Sequence, residues 1–234
     1  MCTPRSGRKG AITRDGEVLA EPQVRTRVLE VLQWGINRHI IDRACEDMLL
    51  LHAGAVARDG RALAITGPST AGKSTLTAAL LLRGFGYLTD EAAHITPDLT
   101  ISGYAKPLTL DRGSWPLFES LRPKLDGPLA GYMDGQWQVP VQHVTEVVNE
   151  SRLHAVVITG YRPDADNDLT ELSPSEALAG VAQGVFVPAG RQLPGSMLQQ
   201  LAGIVERVRV FRLTSGDLEW AAATVSGLLD PRPR

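Results

Sequence analysis

The chain has 234 residues, of which 43% are hydrophobic and 21% are charged, a balance typical of a globular protein with one substantial core. Its formal net charge is −2, which favours binding neither to nucleic acid nor to an anionic membrane surface. No apolar run reaches the ~18 residues of a membrane span, and no leader-like segment opens the chain. The two cysteines, Cys2 and Cys45, form neither a metal-binding spacing nor a disulfide framework. A cytoplasmic protein is therefore expected.

The first elements are predicted from composition and periodicity. The first ten residues are basic and rich in Gly, Ser and Pro, and a disordered N-terminal arm is predicted over residues 1–14. A short strand over residues 16–20 comes next. Apolar residues then recur at every fourth position from Val24 to Ile40 and predict a helix that continues to about Cys45.

A hairpin and a glycine-rich loop follow. Residues 48–56 are apolar and predict a buried strand, Asp59-Gly60 is a strong turn signal, and residues 63–66 form the returning strand. The loop comes directly after that strand. It leads into a helix that ends at Gly84, because glycine is favoured just after a helix.

The region after this helix is harder to interpret. Residues 87–89 predict a short strand that ends at Asp90-Glu91, and residues 94–110 predict one or two strands. Residues 111–150 are predicted to form loops that cover a site, because they contain several glycines and Pro116, Pro123, Pro128 and Pro140.

Strands and helices alternate in the last third of the chain. The predicted elements are a strand over 153–159, a helix from the capping box at Ser173–Glu176, a helix over 196–207, a strand over 208–213 and a helix over 217–229 capped by Asp217. This alternation predicts the α/β class.

Residues 67–74 read Gly-Pro-Ser-Thr-Ala-Gly-Lys-Ser and match the phosphate-binding pattern G-x-x-x-x-G-K-[ST] in full. Gly67 and Gly72 let the backbone curl so that its N–H groups bind anionic oxygens. Lys73 adds a charge for the β- and γ-phosphates, and Ser74 a hydroxyl for Mg²⁺. The expected cofactors are ATP or GTP and Mg²⁺, and the expected nucleotide-binding residues are Gly67, Ser69, Thr70, Ala71, Gly72, Lys73, Ser74 and Thr75.

The acidic pair Asp90-Glu91 is the second candidate feature. Its strand is expected to lie beside the strand that precedes the loop, which would bring both carboxylates near the γ-phosphate. A carboxylate there can hold Mg²⁺ or accept a proton from a hydroxyl. Adjacent residues of a strand point to opposite faces, so Asp90 is predicted to be the base and a metal ligand, and Glu91 a secondary metal ligand or orienting group.

Residues 51–95, LHAGAVARDGRALAITGPSTAGKSTLTAALLLRGFGYLTDEAAHI, resemble the catalytic core of HPr kinase/phosphorylase and, more closely, of the HPr-kinase-related proteins of bacteria. The matching features are His52, the loop, Arg83-Gly84 and the acidic pair. The sequence Gly-Tyr-Ala-Lys-Pro-Leu at 103–108 resembles a Lys-Pro segment of the related proteins, and residues 153–178 are similar more loosely.

The resemblance implies a fold, a reaction and a partner. The fold is the α/β, P-loop core of HPr kinase and phosphoenolpyruvate carboxykinase, as one catalytic domain over residues 15–230. The reaction is ATP- and Mg-dependent transfer of the γ-phosphoryl to a serine of a small protein or of a ribosomal, for example lasso, precursor peptide. Asp90, Lys73 and His52 would be the catalytic residues. Members of the family assemble as oligomers, so a homo-oligomer is implied.

The chain departs from the family pattern at two points. Glu91 stands where the family usually has Asp, and the acidic, glycine-containing signature downstream in HPr kinase/phosphorylase is missing. Phosphorylase activity and HPr as the substrate are therefore not implied. The second metal ligand is left open between Glu146 and Glu150.

Several residues have an alternative structural interpretation. His52 also fits a core or strand-edge position, and Lys106 fits either a phosphate or peptide contact or a surface lysine before proline. The acidic residues of 162–172 predict a solvated loop, since a calcium pattern that begins at Asp164, Asp166 and Asp168 fails at Leu169 and Ser175. Partial core burial is expected for Trp115, Trp137 and Tyr132, with peptide contact as the alternative.

Two other functions remain open from the sequence. A small-molecule kinase of the shikimate or adenylylsulfate kinase type also has such a loop and an early acidic residue, although those enzymes usually begin at the loop. The other is a non-catalytic module that changes shape on binding a nucleotide.

Overall fold

The computed structural model describes residues 12–14, 16–20, 25–104, 106–123, 135–187 and 190–230. The strands are β1 (Ile12–Arg14), β2 (Glu17–Ala20), β3 (Leu50–Arg58), β4 (Arg61–Thr66), β5 (Gly86–Thr89), β6 (Ala92–Ile95), β7 (Thr100–Gly103), β8 (Leu108–Asp111), β9 (Gln136–Val139), β10 (Glu150–Tyr161), β11 (Asp168–Glu171) and β12 (Arg209–Ser215). The helices are α1 (Arg25–Ala44), α2 (Lys73–Leu81), α3 (Pro174–Ala182), α4 (Gly195–Val205) and α5 (Leu218–Ser226). None of the helices in the described ranges is long and apolar enough to cross a membrane.

A mixed sheet organises the fold and confirms the α/β class. Within the described residues it has eight strands in the order β11-β12-β10-β4-β3-β6-β7, with β5 paired to β3. The strands β4, β10 and β12 are parallel, and the remaining pairs are antiparallel. Because β7 also pairs with the start of β10, the strands β10, β4, β3, β6 and β7 form a closed ring. The carboxyl ends of the three parallel strands meet at one edge, where ligands bind in open α/β sheets.

The predicted hairpin at Asp59-Gly60 is confirmed. Asp59 and Gly60 have φ values of 53° and 71°, the left-handed backbone that twists a two-residue turn to match its strands. Residues Ala53 to Arg58 of β3 pair with Thr66 to Arg61 of β4. The turn thus fixes the register of the strand that leads into the glycine-rich loop.

Helices cover both faces of the sheet. Along β4, Leu63 and Ile65 pack with α2 and α5, whereas Ala62 and Ala64 pack with α3 and α4. Both sets are fully buried, as expected for a central strand whose side chains alternate between faces. The predicted capping box is also present, because the Ser173 backbone N–H donates to the Glu176 carboxylate at 3.1 Å.

The position of β5 corrects one expectation. The strand before Asp90 was expected beside β4, but it pairs with β3, through Val56 opposite Tyr87 and Ala57 opposite Gly86. Both edges of β4 are already occupied by β3 and β10. The long strand β3 offers its other edge instead, so one strand separates β5 from the strand that precedes the loop.

The N-terminal region corrects a second expectation. Residues 12–14 pair with β2, so the disordered arm predicted for 1–14 is wrong for these residues, while residues 1–11 lie outside the described residues. The predicted helix is confirmed as α1. Its residues Ile36 and Ile40 are 48% and 38% exposed, whereas Ile41 in its last turns and Cys45 just after its end are buried in a small core cluster.

The middle of the chain agrees with the predictions in part. The region predicted as one or two strands over 94–110 contains β6, β7 and β8, each only four residues long. Of the region predicted as loops, 111–150, the structure describes residues 111–123 and 135–150, which contain short 3₁₀ turns and β9. Trp137 is buried in the core and stacks on Trp115 at 5.0 Å, whereas Tyr132 lies outside the described residues.

Candidate active site

The glycine-rich loop connects β4 to α2 in the conformation that its sequence predicts. Gly67, Thr70 and Gly72 have φ values of 143°, 64° and 90°, which lie in the region that glycine adopts at least cost. A Cβ atom at Gly67 would stand 2.5 Å from the backbone oxygen of Thr159. Among the described residues no side chain caps α2, so the N–H groups of its first turn are available to an anion.

Replacing Gly67 should therefore damage the loop without an effect on distant parts of the fold. The variant Gly67→Ala is expected to lose about 1–3 kcal/mol of unfolding free energy, since the new methyl group forces the loop away from β10. Nucleotide affinity should fall with it. Thermal melts and equilibrium binding of an ATP analogue measure both. The control is Gly203→Ala, in a helical position with open space, where stability should be unchanged or slightly higher.

Lys73 lies across the curled loop. Its ammonium donates hydrogen bonds to the backbone oxygens of Gly67 and Pro68, each at 2.9 Å. The residue is only 8% exposed, and this burial lowers the pKa of Lys73, while the nearby Glu91 raises it. A buried ammonium held by carbonyl groups alone is a ready partner for an anion bound by the loop amides.

Asp90 is the most enclosed acidic side chain of the site. Its Oδ1 accepts a hydrogen bond from the Tyr87 hydroxyl at 2.9 Å, and its Oδ2 accepts one from the Thr109 backbone N–H at 2.9 Å. Burial is the largest cause that raises the pKa of Tyr87, and the negative charge of Asp90 is the next. The phenol therefore stays protonated and remains a hydrogen-bond donor. The Asp90 side chain is 1% exposed, so these contacts fix its orientation.

Lys106 provides the charge that balances Asp90. Its Nζ lies 2.8 Å from Asp90 Oδ1 and 3.6 Å from Glu91 Oε2, and it donates to the Thr109 hydroxyl at 3.0 Å. The side chain is 5% exposed. The interpretation of Lys106 as a surface lysine is therefore wrong, because the ammonium is buried against two carboxylates.

Glu91 and His52 form the more accessible side of the acidic pair. The Glu91 side chain is 32% exposed, and its Oε1 lies 3.9 Å from His52 Nε2. Burial raises the pKa of Glu91, and Lys106 partly offsets this effect. Burial, followed by the charge of Lys73, lowers the pKa of His52 to about 4, so the imidazole is neutral near pH 7 and can accept or donate a hydrogen bond.

The acidic pair does not lie on a strand, which corrects the argument from alternating faces. Asp90 and Glu91 occupy the bend between β5 and β6, and both carboxylates approach the same ammonium. Their difference is one of accessibility. Asp90 is enclosed and Glu91 is partly open.

One cavity of about 1260 Å³ connects these features. Its lining includes residues 69–75 of the loop, His52, Asp90, Glu91 and Lys106, together with residues at the carboxyl ends of β10 and β12. Gly67 lies beneath the loop, against Thr159. The remaining predicted nucleotide-binding residues and all predicted catalytic residues therefore border a single space.

Other residues that the sequence offered as site residues or metal ligands lie away from this cavity. Glu146 and Glu150 are exposed and do not border the cavity, so neither fits the position of a second metal ligand there. Arg83 pairs with Glu219 on α5. Asp164 and Asp166 lie in the predicted acidic loop, but Asp168 begins β11, and no group of three potential metal ligands occurs within the described ranges.

The donor set is compatible with Mg²⁺ under one condition. Mg²⁺ prefers oxygen ligands and commonly uses one or two carboxylates together with substrate phosphates. Ser74 and Glu91 offer such oxygens at the cavity wall. With so few protein ligands, the phosphates of a bound nucleotide would have to complete the coordination.

Of the residues that hold Asp90, the sequence singled out Lys106 but neither Tyr87 nor Thr109. The sequence indicates a contact with Asp90 only weakly for Tyr87, which lies three residues earlier on a predicted strand. It gives no such indication for Thr109, but the alternation Leu108-Thr109-Leu110-Asp111 predicts a strand with one polar face. In the structure, Leu108 and Leu110 are buried, and Thr109 and Asp111 border the cavity.

Comparisons with known proteins add a distant similarity. No family model and no curated protein matches the sequence. A solved structure described as the Hpr(Ser) kinase/phosphatase from Coxiella burnetii is similar over 77% of this chain and 93% of that chain, with 18% sequence identity and a TM-score of 0.39. A likeness at this level carries no argument about the chemistry of the site.

Proposed function

We propose that the chain is an ATP- and Mg-dependent kinase that transfers the γ-phosphoryl group to a serine hydroxyl of a protein or peptide. The observation that supports this proposal is the shared cavity, onto which both the phosphate-binding loop and the Asp90-Glu91 pair open. Phosphoryl transfer needs positioned phosphates, cations and a proton acceptor within one enclosed site. The cavity brings these groups together.

Each group has a proposed task. The loop amides and Lys73 hold the β- and γ-phosphates, and Ser74 and Glu91 offer ligands to Mg²⁺. When bound, Mg²⁺ would supply positive charge that offsets the negative charge developing on the transferred phosphoryl group. Asp90 accepts the proton of the acceptor hydroxyl. A carboxylate has about four acceptor sites, and Tyr87, Lys106 and the Thr109 amide use three of them, which leaves one on Oδ2.

The lining of the cavity supports a polypeptide acceptor. Its volume of about 1260 Å³ exceeds the roughly 300–1,000 Å³ of a site for a single small ligand, which leaves room for an acceptor beside the nucleotide. Away from the loop, its wall includes the polar face of β8 and β9, with Thr109, Gln136 and Gln138, beside apolar residues such as Leu117. Trp34 on α1 also lines the cavity and is 69% exposed. Amide and hydroxyl groups can pair with a peptide main chain, and an exposed Trp can pack against an apolar side chain.

The experiment is a transfer assay on the whole chain. The protein is incubated with isotopically labelled ATP, Mg²⁺ and the polypeptides encoded beside its gene, and the products are analysed by mass spectrometry. One added phosphoryl on a serine, absent in Asp90→Asn, is the expected result. Phosphorylation of a metabolite alone would show a small-molecule kinase instead. Nucleotide binding with no transfer to any acceptor would contradict the proposal and favour a regulatory module.

A further inference from the structure

The cation at the centre of the acidic pair is a side chain of the protein itself. Lys106 Nζ lies 2.8 Å from one carboxylate oxygen of Asp90 and 3.6 Å from one of Glu91. Its other contacts are the Thr109 hydroxyl at 3.0 Å and the Pro107 backbone oxygen at 3.4 Å. All four partners offer oxygen atoms, so the ammonium is surrounded by the kind of ligand that a hard divalent cation prefers.

The charges of the pair explain why a cation is needed there. Two neighbouring carboxylates that face the same point repel each other, and this repulsion is strong where water is largely excluded. The Asp90 side chain is 1% exposed and that of Lys106 is 5% exposed, whereas that of Glu91 is 32% exposed, so solvent screens the repulsion only from the side of Glu91. Without Lys106, a divalent metal ion would be the natural replacement.

We infer that Lys106 is a positioning residue that serves as the built-in counter-ion of Asp90 and Glu91 and keeps free divalent cations from binding to the pair. The consequence for the reaction rests on the proposed function. The metal would enter with the nucleotide, whose phosphates supply the ligands that the protein lacks. Lys106 would hold the carboxylates in place until then.

The number of protein ligands agrees with this inference. Across the residues that the structure describes, no cluster of three His, Cys, Asp or Glu side chains could hold a metal ion. A pair of carboxylates binds a divalent cation only weakly, and an ammonium between them adds direct repulsion. A single charge can therefore decide whether the pair binds metal in the absence of nucleotide.

The test uses Mn²⁺, which replaces Mg²⁺ at oxygen sites and can be counted by electron paramagnetic resonance. The wild-type protein without nucleotide should show no saturable Mn²⁺ binding at low millimolar concentration. Lys106→Met should bind one equivalent, with a dissociation constant at least about tenfold below the highest Mn²⁺ concentration at which the wild type fails to saturate, because a unit charge a few ångströms from the ion has been removed. Its melting temperature should also rise with added Mn²⁺, since a ligand that binds only the folded state stabilises it.

Two further variants guard against a purely structural effect. Lys106→Gln keeps a hydrogen-bond donor and loses only the charge, so it should bind Mn²⁺ as Lys106→Met does. Arg209→Met removes a cation from an exposed ion pair with Glu171, 2.7 Å long and away from the cavity, and should leave Mn²⁺ binding unchanged. Equal Mn²⁺ binding by wild type and Lys106→Gln would overturn the inference, and so would failure of both Lys106 variants to fold even with Mn²⁺ present.

A separate titration distinguishes this inference from the proposed function. Mn²⁺ binding by the wild-type protein is repeated with a non-hydrolysable ATP analogue. Saturable binding that appears only with the analogue supports both ideas. If the analogue does not bind at all, the proposed function fails, whereas the nucleotide-free comparison of the Lys106 variants still decides whether Lys106 excludes the metal.

Discussion

In the variant Lys73→Met, the rate of phosphoryl transfer is expected to fall by about 10³-fold or more. Lys73 is the one charged side chain that is proposed to contact the transferred phosphates directly. Its geometry supports this size of effect. Lys73 donates to two backbone oxygens of the loop and borders the cavity. Methionine has a similar length but offers no charge and no donor.

The same variant should fold as well as the wild type. Replacing a buried charge that has no ion-pair partner at bonding distance by an apolar side chain of similar volume costs little and can even stabilise. The melting temperature of Lys73→Met should therefore stay within a few degrees of the wild-type value. Transfer within tenfold of wild type in a folded Lys73→Met protein would contradict the assignment. Arg209→Met, a change of the same type outside the cavity, provides the control for loss of a cation.

The parts of the site that the sequence predicted are those fixed by neighbouring residues. The turn at Asp59-Gly60 and the loop at 67–74 depend on backbone angles that only certain residues adopt cheaply. Both could be located from the sequence, because the relevant residues are consecutive. The capping box at Ser173 and the cap at Asp217, which accepts from the Trp220 backbone N–H at 2.9 Å, are local in the same sense.

The parts that the sequence missed depend on contacts between distant segments. The neighbour of β5 is set by which strand edge remains open after β3, β4 and β10 have paired, and no short window of sequence contains that information. From the sequence, Lys106 was open between a phosphate or peptide contact and a surface lysine before proline, and neither alternative includes an ion pair with Asp90. It reaches Asp90, sixteen residues earlier in the chain, only because β8 closes over the bend after β5.

Accessibility was also beyond the sequence. Asp90 and Glu91 are adjacent and chemically similar, yet the Asp90 side chain is 1% exposed and the Glu91 side chain is 32% exposed. Neither residue lies within a strand, so alternation between strand faces cannot be the reason for their different environments. The tertiary packing of Tyr87, Lys106 and Thr109 around Asp90 produces the difference instead.

The variant Asp90→Asn is expected to lower both activity and stability. Removing the proposed proton acceptor should slow transfer by about 10²–10⁴-fold. Removing its charge also leaves the buried ammonium of Lys106 with only the more distant carboxylate of Glu91, 3.6 Å away. Breaking one half of a buried ion pair costs about 3 kcal/mol, which thermal and denaturant unfolding would detect.

A double variant separates these two effects. In Asp90→Asn/Lys106→Met no buried charge is left without its partner, so most of the lost unfolding free energy should return, whereas phosphoryl transfer should not. The exposed acids Glu146 and Glu150 serve as controls, and their change to Gln should leave the transfer rate unchanged, since neither borders the cavity. Recovery of transfer in the double variant would show that Asp90 acts only by holding Lys106, and wild-type stability in Asp90→Asn would show that the ion pair contributes nothing to the fold.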